Sequence, residues 1–154
     1  MPTVAEIMER DPVTVSPEDT VETLLRTLRD HELPGVPVVN GGGRPIGIVT
    51  EADLVMVDEE EDLRLPLHID LFGAQIFLGP VKRFEERFKK AIAATVGEMM
   101  TPDPITVDSD TDVREAARII AERRHNRLPV VEHGRLVGVV TRLDVLEALV
   151  DDQR

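Results

Sequence analysis

No cysteine occurs in this chain of 154 residues, which excludes disulfides and thiolate metal sites. Aromatic residues are nearly as scarce: four phenylalanines, no tyrosine and no tryptophan. Basic charge is short as well, with 18 Lys and Arg against 30 Asp and Glu and a net charge of -12. Such a chain has no basic surface with which to displace counterions from a nucleic-acid polymer, nor one to hold an anionic membrane. A small anionic ligand stays open, because it needs only one local cluster of donors. No apolar run approaches the roughly 18 residues of a transmembrane helix. The opening MPTVAEIMERDP has neither the basic nor the apolar region of a signal peptide. These absences predict a soluble, cytoplasmic protein.

Catalytic signatures are missing too. His31, His68, His125 and His133 show no metal-ligand spacing. Neither GxSxG nor HExxH appears, and no serine has an evident base. NGGGRPIG (40–47) lacks the GK(S/T) ending of a phosphate loop and lies between two β-branched runs, so it reads as a hairpin turn. Carboxylates abound, but none is singled out as an acid–base pair. The expectation is a protein that is not an enzyme.

What the chain does have is a duplication. Its 42% hydrophobic content is enough for a packed interior, and its length suits one domain or two small units sharing a core. Slid on itself by 92 positions, VAEIMERDPVTV (4–15) lands on VGEMMTPDPITV (96–107), Val21 lands on Val113, and PVV (37–39) on PVV (129–131). One extra residue in the first copy's turn lowers the offset to 91. GIVTEAD (47–53) then lands on GVVTRLD (138–144). The units are expected at 1–57 and 95–150, with an insertion at 58–94 and a short tail at 151–154.

Each copy reads alike. A short helical turn ends before Asp-Pro, and VTV or ITV forms a short strand. SPEDT or DSDT then starts a helix whose apolar face is Val21, Leu24, Leu25 and Leu28, or Val113, Ala116, Ala117 and Ile120. VPVV and LPVV, a glycine turn, and PIGIVT or LVGVVT form a hairpin. A last helix starts at the threonine, with Leu54, Val55, Val145, Leu146 and Leu149 as its apolar residues. The order is β-α-β-β-α, an α/β fold.

Thr50 and Thr141, each followed by an aspartate three residues on, permit two readings. One is structural: the threonine caps the helix and Asp53 or Asp144 completes a capping box. The other is chemical. A helix N-terminus offers free N–H groups to a phosphate, and an ionised aspartate offers two acceptor oxygens to the vicinal hydroxyls of a ribose.

This order and these residues resemble the CBS (cystathionine-beta-synthase) domain family over about two thirds of the chain. The MxxxP(V/I)TV opening, the LPVV strand and the G(I/V)VT-x-x-D exit carry the resemblance, in two copies. It implies tandem CBS domains packed about a pseudo-twofold axis, a Bateman module, with two clefts between the repeats. It also implies that Asp53 and Asp144 hold the ribose of an adenosine ligand. Cleft A would then comprise Thr14, Val15, Gly35, Val36, Thr141 and Asp144, and cleft B Thr50, Asp53, Thr106, Val107 and Leu128. Backbone groups near Val36 or Leu128 would read the adenine edge. Arg127 stands where some nucleotide-binding members place a phosphate-holding arginine, whereas the first copy offers Gly35, so cleft A is favoured. Arg142 would add charge there, and Glu51 would repel phosphate. His125, just before Asn126 and Arg127, could line cleft A but reads first as a surface residue.

The insertion begins with the acidic run DEEED (58–62) and ends in an amphipathic helix with Val81, Phe84, Phe88 and Ile92 on one face. It holds all four phenylalanines, which suits either a satellite core or an interface. The resemblance implies a stand-alone regulatory module that binds AMP, ADP or ATP, with S-adenosylmethionine, an NAD-type dinucleotide or cyclic di-AMP as alternatives. No cofactor is required. The implied assembly is a homodimer that acts on an unidentified regulated protein. The alternative reading is a dimerising scaffold that binds no nucleotide.

Overall fold

The computed structural model describes residues 1–51, 53, 68–71, 74–77 and 92–154. The first repeat contains α1 (Val4–Ile7), β1 (Glu9–Arg10), α2 (Val21–Asp30), β2 (Gly35–Val39) and β3 (Pro45–Thr50). A hairpin follows, β4 (His68–Leu71) with β5 (Ala74–Phe77). The second repeat contains α3 (Val96–Met99), β6 (Thr101–Pro102), β7 (Val107–Asp108), α4 (Val113–Arg123), β8 (Arg127–Glu132), β9 (Arg135–Thr141) and α5 (Arg142–Asp152).

The helices start where the sequence places caps. Thr20 accepts a hydrogen bond from the Thr23 amide at 3.1 Å, and Asp112 accepts one from the Arg114 amide at 2.8 Å. Val21, Leu24 and Leu28 are buried on one face of α2, and Val113, Ala116 and Ile120 on one face of α4. Leu25, read from the sequence as part of the α2 face, is 39% exposed. One residue past Leu24 turns it about 100° around the helix, away from the core. Helix α5 continues to Asp152, two residues into the stretch taken as a tail, and the Gln153 N–H closes it on the carbonyls of Val150 and Asp151.

The strand expected at 13–15 shrinks to one parallel bridge, Val15 to Val38, whereas its counterpart β7 pairs with β8. Position 109 in the second copy is a serine whose amide donates to Val131 O at 3.0 Å. The equivalent residue is Pro17, which has no N–H to extend the ladder.

The sequence reading contained no sign of how the opening segments pack. Each crosses to the other repeat. Strand β1 adds to the second repeat's sheet, in the order β1-β9-β8-β7, and β6 adds to the first repeat's, in the order β2-β3-β6. The pairings are Arg10 with Gly138 and Pro102 with Gly47. Val4 is fully buried in the core of the second repeat, among Val113, Ala116, Leu128 and Val140. Val96 is fully buried in the core of the first, among Leu24, Leu28, Val36 and Val49. Matching backbone bonds anchor both crossings: Val4 N to Thr111 O at 2.8 Å and Val96 N to Asp19 O at 2.7 Å. A four-residue helix is not stable alone, so each opening turn exists by virtue of the partner repeat.

The hairpin β4–β5 was likewise not anticipated within the insertion. The amphipathic helix face proposed around Val81, Phe84 and Phe88, the satellite core and the acidic run at 58–62 lie outside the described residues.

Candidate functional site

The Thr-x-x-Asp motif of the second repeat caps α5. The Thr141 amide donates to Asp144 Oδ2 at 2.9 Å, and the Asp144 amide donates to Thr141 Oγ1 at 3.1 Å, a reciprocal capping box. In the first repeat the Thr50 amide donates to Asp53 Oδ2 at 2.8 Å. Each carboxylate spends Oδ2 on its cap. Among the described residues, Oδ1 of neither aspartate takes a hydrogen bond, so one acceptor oxygen remains for a ligand.

A cavity of about 400 Å³ opens between the repeats. The first repeat lines it with Pro34, Gly35, Val36, Pro37, Ile48, Thr50 and Glu51, and the second with residues 124–127, Pro129 and Val139. Its volume falls within the range of small-ligand pockets. One wall is apolar strand, and the other carries Arg124, His125, Asn126 and Arg127.

The expected residues are distributed differently from the two clefts drawn from the sequence. Gly35, Val36 and Arg127 of cleft A share this cavity with Thr50 of cleft B. Antiparallel pairing is the reason. Gly35 is the register partner of Thr50, and Arg127 that of Thr141, so the start of each second strand lies beside its own repeat's threonine. Thr14, Val15, Thr141 and Asp144 are outside the lining, as are Asp53, Thr106, Val107 and Leu128. Val15, Val107 and Leu128 are core residues, 4%, 5% and 0% exposed, so only their backbone groups could meet a ligand. Thr14 and Thr106 are half-buried on the approach to those strands.

Arg127 is anchored within the fold. It is 27% exposed at the side chain, and its guanidinium stands 3.7 Å from the carboxylate of Glu9 on the exchanged strand β1. This ion pair crosses between the repeats. Glu51 lines the cavity, opposite in sign to Arg124 and Arg127. Arg142, expected to add charge to cleft A, instead lines a groove between α4 and α5. Arg124 and His125 line both spaces, and His125 is exposed, as expected of a surface residue. Sequence reasoning passed over Arg124. It follows α4 in a left-handed conformation (φ 56°), shared by its repeat equivalent Glu32 (φ 53°), which the structure alone reveals.

The family model of the CBS domain matches residues 4–60 and 96–151. The chain belongs to the CBS domain family. Both copies of the CBS domain are thus accounted for, and the α/β repeat pair is the fold of CBS-pair structures. An uncharacterized protein of Methanocaldococcus jannaschii is 33% identical over 153 residues, covering 96% of this chain and 90% of its own. The chloroplastic CBS domain-containing protein CBSX1 of Arabidopsis thaliana is 30% identical over 99% of this chain, which spans 66% of that protein's length. Among solved structures, CBSX2 in complex with AMP superposes with a TM-score of 0.73 at 27% identity, covering 99% of this chain and 98% of that one. Among the described residues of this CBS pair, no helix is long and apolar enough to cross a membrane.

Proposed function

We propose that this CBS pair is a regulatory module without catalysis of its own, which binds an adenosine nucleotide between its repeats. The observation that carries the reading is the inter-repeat cavity, with Gly35, Val36 and Thr50 on one side and Arg127 on the other. The AMP complex of CBSX2, similar over nearly the whole chain, supports it. The adenine lies against Val36, Pro37 and Ile48, and the backbone near Val36 reads its edge. Thr50 and the free oxygen of Asp53 hold the ribose. Arg127 takes the phosphate, exchanging the long ion pair with Glu9 for charge-assisted hydrogen bonds. Glu51 opposes further phosphates, which favours AMP over ADP and ATP. The equivalent edge formed by Thr141 and Asp144 offers the second subsite.

A ligand touching both repeats favours one relative orientation of them, and a regulated protein that prefers that orientation feels the ligand as an effector. The module acts as a homodimer in the cytoplasm. Leu143 and Val150, 63% and 55% exposed on α5, offer apolar surface to a second copy.

Melting temperature after removal of copurified nucleotide tests the reading. AMP, ADP, ATP, S-adenosylmethionine, NAD and cyclic di-AMP form the panel. At 100-fold excess over Kd a ligand adds about 2.7 kcal/mol. For a chain of this size that is a rise of roughly 5–10 °C. A selective rise, reduced in Asp53→Ala, supports the site, whereas a flat panel moves the assignment to a dimerising scaffold. In that case Thr-x-x-Asp is a duplicated helix cap and nothing more.

A further inference from the structure

Antiparallel register sets four residues of the second repeat's sheet on one face. Glu9 is the partner of Val139, Val139 is the partner of Pro129, and Arg127 stands two residues before Pro129. Register partners, and residues two apart on a strand, project to the same side. That side faces the inter-repeat cavity, which Arg127, Pro129 and Val139 line. The first repeat presents the equivalent face: Thr101 is the partner of Ile48, and Ile48 of Pro37, two residues after Gly35. The apolar positions match, Ile48 and Pro37 for Val139 and Pro129. The charged ones do not, since Glu9 and Arg127 stand where the first repeat has Thr101 and Gly35.

Among the described residues, the other ion pairs join residues no more than four apart along the chain. Glu9 and Arg127 belong to different repeats. Arg127 borders both the large cavity and a small space of about 110 Å³ that Glu9, His31 and Leu33 also line. Its guanidinium, 3.7 Å from the Glu9 carboxylate, is a partition with an anion on one side and the ligand space on the other. Pairing of β1 with β9 fixes the backbone of Glu9, so the carboxylate stays when the guanidinium turns away.

We propose that Glu9 is a specificity-determining residue of the nucleotide site, a built-in carboxylate that competes with the ligand's phosphate for Arg127. The inference rests on the nucleotide reading and adds to it a cost that falls on charged ligands alone. A phosphate must draw Arg127 away from Glu9 and then lie near that carboxylate. A nucleoside carries no such anion and leaves the pair intact.

Calorimetric titration of the nucleotide-free full chain with AMP and with adenosine is the test. Glu9→Gln should tighten AMP about two- to fivefold, the range for a partly exposed ion pair, and leave adenosine unchanged. The gain should shrink as salt is raised. Arg127→Gln should weaken AMP, and in that background Glu9→Gln should no longer tighten it. Glu22→Gln removes the same charge from α2, away from the cavity lining, and should leave AMP affinity as it is. The Glu9 side chain is 60% exposed and Gln keeps its shape, so the fold survives the replacement. If the unaltered chain binds neither AMP nor adenosine, the nucleotide reading fails and this inference fails with it. If AMP binds and Glu9→Gln does not tighten it, only the role of Glu9 falls. The same holds if AMP and adenosine gain alike, or if the gain persists undiminished in Arg127→Gln.

Discussion

Gly138→Ala tests the exchange of opening segments at one atom. A Cβ built there lies 2.5 Å from Met8 Sδ, 2.9 Å from Met8 Cγ and 2.8 Å from the Glu9 carbonyl oxygen. The methionine side chain can turn away, since it is unbranched and adaptable. The carbonyl belongs to strand β1, which is bonded to β9 on either side of the contact, so relief there requires β1 to move. Overpacking of this kind costs about 1–3 kcal/mol, against a gain of about 0.4–1 kcal/mol from stiffening the unfolded chain. The net expectation is a loss of roughly 1–2 kcal/mol, or about 2–8 °C in Tm for a chain of this length. Gly41→Ala is the control, because nothing lies within 4 Å of its added Cβ, and it should be neutral or slightly stabilising. Urea unfolding of Gly138→Ala, Met8→Ala and the double variant closes a cycle. Coupling of at least about 0.5 kcal/mol between positions 8 and 138 is expected for touching residues. Equal stability of Gly138→Ala and Gly41→Ala, with additive behaviour in the cycle, would refute the packing of β1 on the second repeat.

Val4→Ala should lower stability by about 2–3 kcal/mol in urea unfolding, two methylene equivalents plus a cavity, although it replaces a residue near the chain terminus. Asp144→Ala should cost about 0.5–2 kcal/mol of stability by loss of the capping box, and Asp53→Ala a similar amount. If the ribose reading holds, calorimetry should also show a loss of nucleotide affinity of about 1.5–3 kcal/mol for at least one of them. In acid, Asp112 is held below the ordinary carboxylate range by its hydrogen bonds with Arg114, and Glu115 by Arg118. Groups with lowered folded values stabilise fully above the unfolded value near pH 4 and lose that contribution as pH falls through the folded one. Urea midpoints should therefore drop below about pH 4, and less steeply in Asp112→Asn.

The sequence by itself determined the local architecture. Both copies, the helices that follow SPEDT, DSDT and Thr141, and the hairpin of each copy were legible because caps, turns and periodicity act over a few neighbours. The roles proposed for Asp53, Asp144 and Arg127 toward a ribose and a phosphate rest instead on side-chain chemistry and on the resemblance to the CBS family. Leu25 was misplaced because one helical step decides between core and solvent, and the step is read against a core the sequence does not draw. The tertiary structure alone decided which residues meet. A two-residue strand such as β1 carries no periodicity, so nothing local announces that it pairs with β9 rather than within its own repeat. The glycines opening GIVT and GVVT are necessary because a methionine and a carbonyl of the other repeat occupy the space of their Cβ atoms. Thr50 joins Gly35 and Arg127 in one cavity, and Arg142 faces another, because antiparallel register and inter-repeat packing set those positions. Contacts between distant residues are settled by the free energy of the assembled core, which no single segment holds.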